Sequence, residues 1–251
     1  MSEITTKTLL DAGVHYGHLT SKWNPKMAPF IFMEQNGIHI IDLNKTLSKL
    51  TDAKAAVKSI TKSGRKVMFV ATKKQAKDIV QNEATRVNMP YVTERWLGGM
   101  LTNFATVRKS IKKMQSIDKM VTDGTYLHLN KKERLMKDRE KTKLQRLLGG
   151  IEQLNRLPAA LFIIDVKREH IAVKEAQKLN IPIFAIVDTN SNPNLADHPI
   201  PGNDDASASI ELLARSFADA IAEGLSERKQ AKEAAKKDVD KESATKEVAA
   251  N

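Results

Sequence analysis

Short apolar runs alternate with longer amphipathic stretches along much of the chain. Four of these runs have the length of a strand and are apolar apart from a closing aspartate in two of them: 67–71, 91–92, 161–165 and 184–188. Uninterrupted apolar runs are typical of parallel strands that are buried on both faces. A fifth run, 198–200, contains Pro199 and therefore predicts only a short strand at the edge of the sheet.

The stretches beside these strands have helical spacing. Their apolar positions recur every three or four residues, and each stretch ends near Gly, Asn or Pro: 44–63, 73–88, 167–180 and 206–224. Strands separated by single helices predict an α/β fold built on a doubly wound parallel sheet.

A long insertion separates the second predicted strand from the third. The gap is about 70 residues, far more than one crossover helix needs. Two amphipathic stretches, 103–121 and 131–154, fill it, with Asp123-Gly124 as a turn between them. Asn130 followed by Glu133 is a variant of the capping box that starts a helix. We expect an antiparallel helical hairpin.

These patterns divide the chain into three parts. We expect 1–102 and 151–225 to form one α/β sheet domain, with 103–150 as the inserted hairpin. The last segment, 226–251, has no aromatic residue, Leu or Ile with which to bury a face. It is predicted to be a disordered charged tail or a frayed helix.

Charge is distributed unevenly over the chain. Lys and Arg number 41 against 30 Asp and Glu, for a net charge of +11. Residues 1–100 carry a net +7, 101–157 carry +8, 158–225 carry −5 and 226–251 carry +1. An excess concentrated in the first three fifths of the chain indicates a surface for a polyanion.

Three absences in the sequence exclude further classes of protein. There is no cysteine, which excludes disulfides, thiol nucleophiles and thiolate metal sites. No apolar run approaches the ~20 residues that span a bilayer, and the N-terminus lacks the features of a signal peptide. We expect a cytoplasmic protein.

Aspartates close two of the predicted strands, where doubly wound enzymes hold their active sites. Asp165 is followed by Val-Lys-Arg, and no Asp-x-Asp pair follows either strand. No glycine-rich phosphate loop follows the first strand. We expect Asp165 and Asp188 to cap local backbone, while a metal-assisted enzyme of the doubly wound class stays open as the alternative.

Two histidines three residues apart offer ligands for a divalent ion, either zinc or magnesium. His15 and His18 lie in a glycine-bearing segment, and Asp188, Asp204 or Asp205 would supply oxygen ligands. A hydrogen-bonded turn explains the same pair without a metal.

Basic segments interleaved with aromatic residues and glycines indicate nucleic-acid binding. The loop 21–27 combines two lysines with a tryptophan, and 94–103 places two glycines before a helix whose N-terminus favours anions. Within 104–146 there are 13 basic and 5 acidic residues. The residues predicted to bind RNA are Lys22, Trp23, Asn24, Lys26, Lys73, Lys74, Arg95, Trp96, Gly98, Gly99, Thr102, Asn103, Arg108, Lys109, Lys112, Lys113, Lys131, Lys132, Arg134 and Lys137.

Eight blocks of this sequence, taken in order, resemble the family of bacterial small-subunit ribosomal protein two. They extend over about residues 4 to 225, and eight in order are far more specific than any one alone. The blocks are AGVHYGH at 12–18, WNPKM at 23–27, FIF at 30–32, GIHIIDL at 37–43, RWLGGMLTN at 95–103, LGGI at 148–151, PIFAIVDTN at 182–190 and IPGNDDA at 200–206.

The resemblance implies a flavodoxin-like sheet with a coiled-coil insertion. It also implies a non-catalytic protein of the small ribosomal subunit that binds small-subunit ribosomal RNA and neighbouring ribosomal proteins. In that family the protein helps to recruit the messenger-binding ribosomal protein one. We expect the acidic segment 158–225 to face that protein and the basic hairpin and loops to face RNA.

Overall fold

The computed structural model describes residues 4–248, with side chains left undescribed at 127, 232 and 234–248. The chain begins with a short helix and a three-stranded antiparallel sheet of order β1-β3-β2. These elements are α1 (Thr6–Asp11), β1 (Tyr16–Leu19), β2 (Ile31–Gln35) and β3 (Ile38–Ile41). No pattern in the sequence predicts this sheet, because its strands are short and only partly buried and lack a clean alternation of apolar and polar residues.

A five-stranded parallel sheet forms the centre of the protein. The elements that lead into it are α2 (Leu43–Lys62), β4 (Val67–Val70), α3 (Lys77–Arg86) and β5 (Tyr91–Val92). The chain then forms α4 (Phe104–Thr122), α5 (Lys131–Leu148), β6 (Ala160–Ile164), α6 (His170–Lys178), β7 (Ile183–Val187), β8 (His198–Pro201) and α7 (Ser207–Val248). All five strands predicted from the apolar runs are confirmed, including the edge strand that contains Pro199.

The strand order is β5-β4-β6-β7-β8, with every pair parallel. The order reverses between β4 and β6, which is the switch point of a doubly wound sheet. Successive side chains of a strand face opposite sides, so the sheet has two cores. On one face Phe162 stacks on Phe217 of α7, with ring centroids 4.2 Å apart. On the other, Ile163 packs among residues from α6 and the start of the insertion.

Two helices start later than their apolar spacing predicts. The helix expected from 73 begins at Lys77, and the one expected from 167 begins at His170. In the second case Asp165 has a positive φ of 66°, and its Oδ1 accepts hydrogen bonds from the N–H groups of Lys167 and Arg168. The chain therefore leaves β6 through a capped turn before the helix begins.

The insertion holds the two predicted helices. α4 and α5 are joined through Gly124, which has a φ of +76°, and Glu133 accepts a hydrogen bond from the N–H of Asn130 at 3.3 Å. An ion pair between Lys113 and Glu140 links the helices. The coiled-coil packing of the pair stays a prediction.

α5 ends earlier than the predicted 154. It ends at Leu148, and a 3-10 turn at Gly149–Ile151 follows. A Cβ at Gly150 would lie 2.2 Å from the carbonyl oxygen of Tyr91, so the close return of the chain to β5 requires glycine.

The predicted tail 226–251 overlaps the end of α7. This segment was predicted to be either disordered or a frayed helix. In the structure its backbone is helical through Val248, and residues 249–251 lie outside the described residues. Alanine, lysine and glutamate favour helix, and Lys58 of α2 pairs with Glu227 at 2.8 Å. The domain boundaries themselves stay predictions. No helix within 4–248 combines the length and apolar character needed to span a bilayer.

Candidate functional site

Four loops meet at the carboxyl edge of the parallel sheet, following β4, β6, β7 and β8. They carry Lys73, Asp165, Asp188 and Asp204 respectively. Parallel strands bring these loops together regardless of their separation in the chain. This edge is where the sequence analysis placed the candidate metal ligands.

His18 reaches this edge from β1. Its Nδ1 lies 3.1 Å from Asp188 Oδ2, and its Nε2 lies 3.3 Å from Asp205 Oδ2. The backbone N–H of His18 donates to Thr189 Oγ1 at 2.8 Å. A Cβ at Gly17 would lie 2.6 Å from the Thr189 side chain, so only glycine lets the strand approach this closely. The hydrogen bond to Asp188 raises the pKa of His18 against the opposing effect of burial, and the charges of the three aspartates add to the rise.

Lys73 lies at the centre of the acidic cluster. Its Nζ is 2.7 Å from Asp204 Oδ1 and 2.6 Å from Asp205 Oδ1. Burial raises the pKa of Asp204 to about 7, with the charges of Asp188 and Asp165 acting in the same direction and Lys73 opposing them. The second carboxyl oxygen of Asp204, Oδ2, is buried and has no hydrogen-bond partner among the described residues.

These groups have the composition of a divalent-ion site. His18, Asp188 and Asp204 each place one ligand atom so that all three lie within 4.8 Å of one another. One imidazole nitrogen and two carboxylate oxygens suit zinc better than magnesium, because magnesium prefers oxygen ligands alone. The unpartnered Asp204 Oδ2 has a lone pair available to bind a cation. His15 lies outside this group, and its ring packs against Tyr16 at 4.0 Å.

A buried glutamate organises the loop between β5 and α4. Both carboxylate oxygens of Glu175 accept hydrogen bonds there, Oε1 from Trp96 Nε1 at 3.1 Å and Gly99 N at 2.8 Å. Oε2 accepts from the backbone N–H groups of Leu101 at 2.9 Å and Thr102 at 3.0 Å. Burial opposes ionisation of Glu175, but these hydrogen bonds outweigh it and lower its pKa.

The carboxylate of Glu175 binds the glycine-bearing loop that was predicted to approach an RNA phosphate. The N–H groups of Gly99, Leu101 and Thr102, in the turn before α4, are already bonded to it and do not face a phosphate in this structure. Trp96 is only 5% exposed and Lys73 only 8%. Both side chains are bonded internally and position their loops. Gly98, Thr102 and Asn103 are exposed beside them.

The hairpin carries an excess of positive charge that its own carboxylates do not balance. Lys113 pairs with Glu140, Lys141 with Asp118, and Arg108 donates to Asn155. Among the described residues no ion pair is formed by Lys109, Lys112, Lys131, Lys132, Lys137, Arg139 or Lys143. Arg134 donates through Nε to the carbonyl of Leu129 at 2.9 Å and lies over the ring of Tyr126. Unpaired exposed cations on one insertion are suited to a polyanion.

The basic loop 21–27 lies at the same edge of the sheet as the acidic cluster of Asp188, Asp204 and Asp205. Lys22, Trp23 and Lys26 are exposed and Asn24 is half-buried. The N–H of Asn24 donates to the carbonyl oxygen of Thr189 at 2.7 Å, which anchors the loop to the end of β7. Lys74 and Arg95, in the loops after β4 and β5, are also exposed.

Two carboxylates that position these surfaces have no signal in the sequence. Glu175 lies within α6, and Glu94 follows β5. Glu94 accepts from Arg146 Nε of α5 at 2.9 Å and from Lys77 Nζ of α3 at 3.2 Å. The hydrogen bonds from Arg146 and Lys77 lower the pKa of Glu94. A single acidic residue in a helix or loop has no sequence signal that distinguishes it from a solvated one.

Comparison with known proteins agrees with the fold. The profile of the family described as ribosomal protein S2 matches residues 9–224. The chain is similar to the small ribosomal subunit protein uS2 of Cytophaga hutchinsonii, at 64% identity over 241 residues, covering 96% of this chain and 95% of the relative.

Two further relatives have the same description. The protein of that name in Flavobacterium psychrophilum is 60% identical over 233 residues, covering 93% of this chain and 88% of the relative. The one in Chlorobium chlorochromatii is 59% identical over 221 residues, covering 88% of each. The chain therefore belongs to the ribosomal protein S2 family.

Proposed function

We propose that this chain is a structural protein of the small ribosomal subunit that binds small-subunit ribosomal RNA through its basic hairpin and loops. The observation that carries the proposal is the set of exposed lysines on α4 and α5 that form no ion pair among the described residues. Contacts of this kind go to phosphates and read the shape of an RNA rather than its sequence.

A role in catalysis has no support. The family is one of structural ribosomal proteins, so the alternative of a metal-assisted enzyme is set aside. In the structure, Asp165 and Asp188 bond to backbone N–H groups of the residues that follow them, as expected for capping aspartates.

Sedimentation of a cell lysate through sucrose gradients tests the assignment. The chain, followed by mass spectrometry, is expected to move with small subunits in near-equal amount at low salt and to dissociate at high salt, because phosphate contacts depend on released counterions. A chain that stays at the top of the gradient at low salt would contradict the proposal.

A charge-reversal variant tests which surface is used. Changing Arg108, Lys109, Lys112 and Lys113 to Glu is expected to abolish binding to small-subunit ribosomal RNA at physiological salt. Changing Lys174 and Lys178, two exposed lysines of α6, to Glu is the control and is expected to leave binding near the wild-type level. Unchanged binding in the first variant would rule out the α4 surface.

The finer proposal is that the acidic segment faces a protein partner. Residues 158–225 carry a net charge of −5, opposite to the rest of the fold, and ribosomal protein one is the partner we propose for it. Glu211 is exposed on α7. Its change to Lys should lower the amount of ribosomal protein one that sediments with small subunits, whereas Glu34→Lys on β2 should not.

A divalent ion, zinc in preference to magnesium, is proposed for His18, Asp188 and Asp204, with Asp205 beside them. Support comes from the three donor atoms within 4.8 Å of one another and from the unpartnered buried oxygen of Asp204. The ion would offset the negative charge that gathers at this edge of the sheet. Elemental analysis of the purified chain tests it: zinc in near-equal amount is expected in the wild type and not in Asp204→Asn.

A further inference from the structure

A groove of about 430 Å³ opens beside Trp23, at the carboxyl ends of β6 and β7. Three segments of the chain line it: the loop 22–25, the turn 166–170 and the loop 190–195. This is the side of an α/β sheet on which ligands bind. None of the groove residues is a ligand of the proposed metal cluster.

One wall of the groove is an aromatic platform. Trp23 is 39% exposed, and its ring packs on the ring of His39, with centroids 5.2 Å apart. The loop that carries it is held in place from both sides. Asn24 donates through its N–H to Thr189 of the β7 end and accepts through Oδ1 from the N–H of Lys26 at 3.0 Å. A supported, half-exposed indole is suited to stacking on a planar group.

Three asparagines line the groove with their amide donors unused. The Oδ1 of Asn24 accepts a hydrogen bond from the N–H of Lys26. The Oδ1 of Asn190 accepts from Ser191 Oγ at 2.7 Å, and the Oδ1 of Asn192 accepts from the N–H of Asn194 at 3.1 Å. The backbone N–H donors fix which side of the amide is oxygen in Asn24 and Asn192, and in Asn190 the oxygen is the atom bonded to the Ser191 hydroxyl in this structure. Among the described residues the NH₂ groups have no partner. The groove therefore presents donors to an occupant and keeps the matching acceptors for its own backbone and side chains.

The charge of the groove also favours an anionic ligand. Lys22 and Lys167 are exposed at its edge and form no ion pair among the described residues, and no carboxylate lines it. Apolar contact comes from Pro25, Val166 and Leu195. A fitting ligand is therefore anionic, rich in hydrogen-bond acceptors and flat on one side.

We propose that this groove binds one unpaired nucleotide of an RNA, with its base stacked on Trp23. Its phosphate lies near Lys22 and Lys167, and acceptors of the base edge or ribose meet the amides of Asn190 and Asn192. A nucleotide in an A-form duplex has its base face covered, so the recognised nucleotide lies in a loop, bulge or end. This inference rests on the proposed binding of ribosomal RNA and adds a site that recognises single-stranded RNA to it.

The test uses an isosteric change that reverses the groove's donor character. Asn192→Asp keeps the oxygen that caps Asn194 but replaces the NH₂ donor by an acceptor with negative charge. Asn82→Asp, on the exposed face of α3, is the control of equal charge. Filter binding of the full chain to small-subunit ribosomal RNA is expected to weaken about tenfold for Asn192→Asp, the scale of one base contact, and to stay close to the wild type for Asn82→Asp.

Trp23 supplies a direct optical readout. A uridine hexanucleotide is expected to quench tryptophan fluorescence of the wild type but not of Trp23→Leu, because Trp96 is buried. An RNA duplex of the same length should leave the fluorescence unchanged. Trp23→Phe keeps a stacking face and is expected to keep most of the affinity for ribosomal RNA, which separates lost stacking from lost folding.

Three results overturn the inference in distinguishable ways. If the wild type does not bind ribosomal RNA at all, the proposed function fails and the inference with it. If the wild type binds but Asn192→Asp and Trp23→Leu bind equally well, only the groove is misassigned. If both variants keep their RNA affinity but small subunits carrying them retain less of a ribosomal protein, the groove holds a protein segment instead of a nucleotide.

Discussion

The carboxylate of Glu175 accepts a hydrogen bond from the indole Nε1 of Trp96 at 3.1 Å, which joins α6 to the loop that leads into α4. The same carboxylate also binds three backbone N–H groups of that loop. An internal anion therefore stabilises the loop that leads into the basic helix. The exposed Gly98 and Arg95 around it face solvent on a loop whose shape is already set.

Removing the charge of Glu175 should destabilise the fold. Glu175→Gln leaves an NH₂ group opposite two N–H donors, and hydrogen bonds to a charged, buried acceptor are costly to lose. We expect the free energy of unfolding to fall by about 2–3 kcal/mol in a urea titration. Glu211→Gln, on the exposed side of α7, is the matched control and should change it little. Equal stability of the two variants would show that the carboxylate does not organise the loop.

The contribution of Glu175 should depend on pH. Its pKa is lowered in the folded chain, so its stabilisation is fully present above the pKa of the unfolded chain, about 4.3. It is lost as pH falls from there through the lower folded value. We therefore expect the difference in unfolding free energy between wild type and Glu175→Gln to be constant from pH 7 to 5 and to shrink below about pH 4.3. A constant difference down to pH 3 would refute this assignment.

Glu169 should show the opposite dependence. Burial raises the pKa of this carboxyl, although it accepts hydrogen bonds from the N–H and Oγ1 of Thr72. An acid with a raised pKa binds a proton more tightly in the folded chain, so stability falls as pH rises from about 4.3 through the folded value. Gln keeps an acceptor for Thr72 without a charge. The stability of Glu169→Gln relative to the wild type, measured by thermal unfolding, is expected to be greatest at pH 7 and to decrease towards pH 4, where the wild-type carboxyl is protonated.

Neutralising hairpin lysines should reduce the salt dependence of RNA binding. Lys109 and Lys112 are exposed and form no ion pair among the described residues. If both contact phosphates, Lys109→Ala with Lys112→Ala should lower the slope of log affinity against log salt by about 0.7–0.9 for each contact. Filter binding over a range of KCl concentrations measures the slope. If the double variant has the same slope of log affinity against log salt as the wild type, these lysines do not contact RNA.

Zinc should stabilise the protein if the cluster at His18 holds it. Binding to the folded state alone raises the free energy of unfolding by about 2.7 kcal/mol at a hundredfold excess over Kd. We expect added zinc to raise the Tm of chelator-treated wild type and to leave Asp204→Asn unchanged. Asp197→Asn, outside the cluster, is the control. A similar rise in all three proteins would indicate nonspecific binding.

The alternation of strands and helices could be predicted from local patterns, since burial on both faces leaves an uninterrupted apolar run in the sequence. The runs at 67–71 and 161–165 coincide with β4 and β6 within a residue. The three-stranded sheet formed by β1, β2 and β3 was missed because exposed short strands leave no such run. Because β1 was not predicted, the sequence also did not indicate how His18 reaches the parallel sheet.

The candidate site was predicted in part. The nearness of Asp188 to Asp204 follows from placing strand ends together, whereas the approach of His18 depends on β1, and the structure brings all three side chains together. Residue type alone did not show that His15 lies outside the metal cluster, nor that Trp96 and Lys73 are buried. Each depends on a partner far away in the chain.

The sequence by itself determined the class of fold, the two helices between β5 and β6 with their positive charge, and the family, because all of these depend on residue type and spacing along a continuous segment. Only the tertiary structure decided which polar groups are internal. Glu175 meets Trp96 across 79 positions, and His18 meets Thr189 across 171. Hydrogen bonds and desolvation act between groups that the topology brings together, and no local pattern records such a pairing.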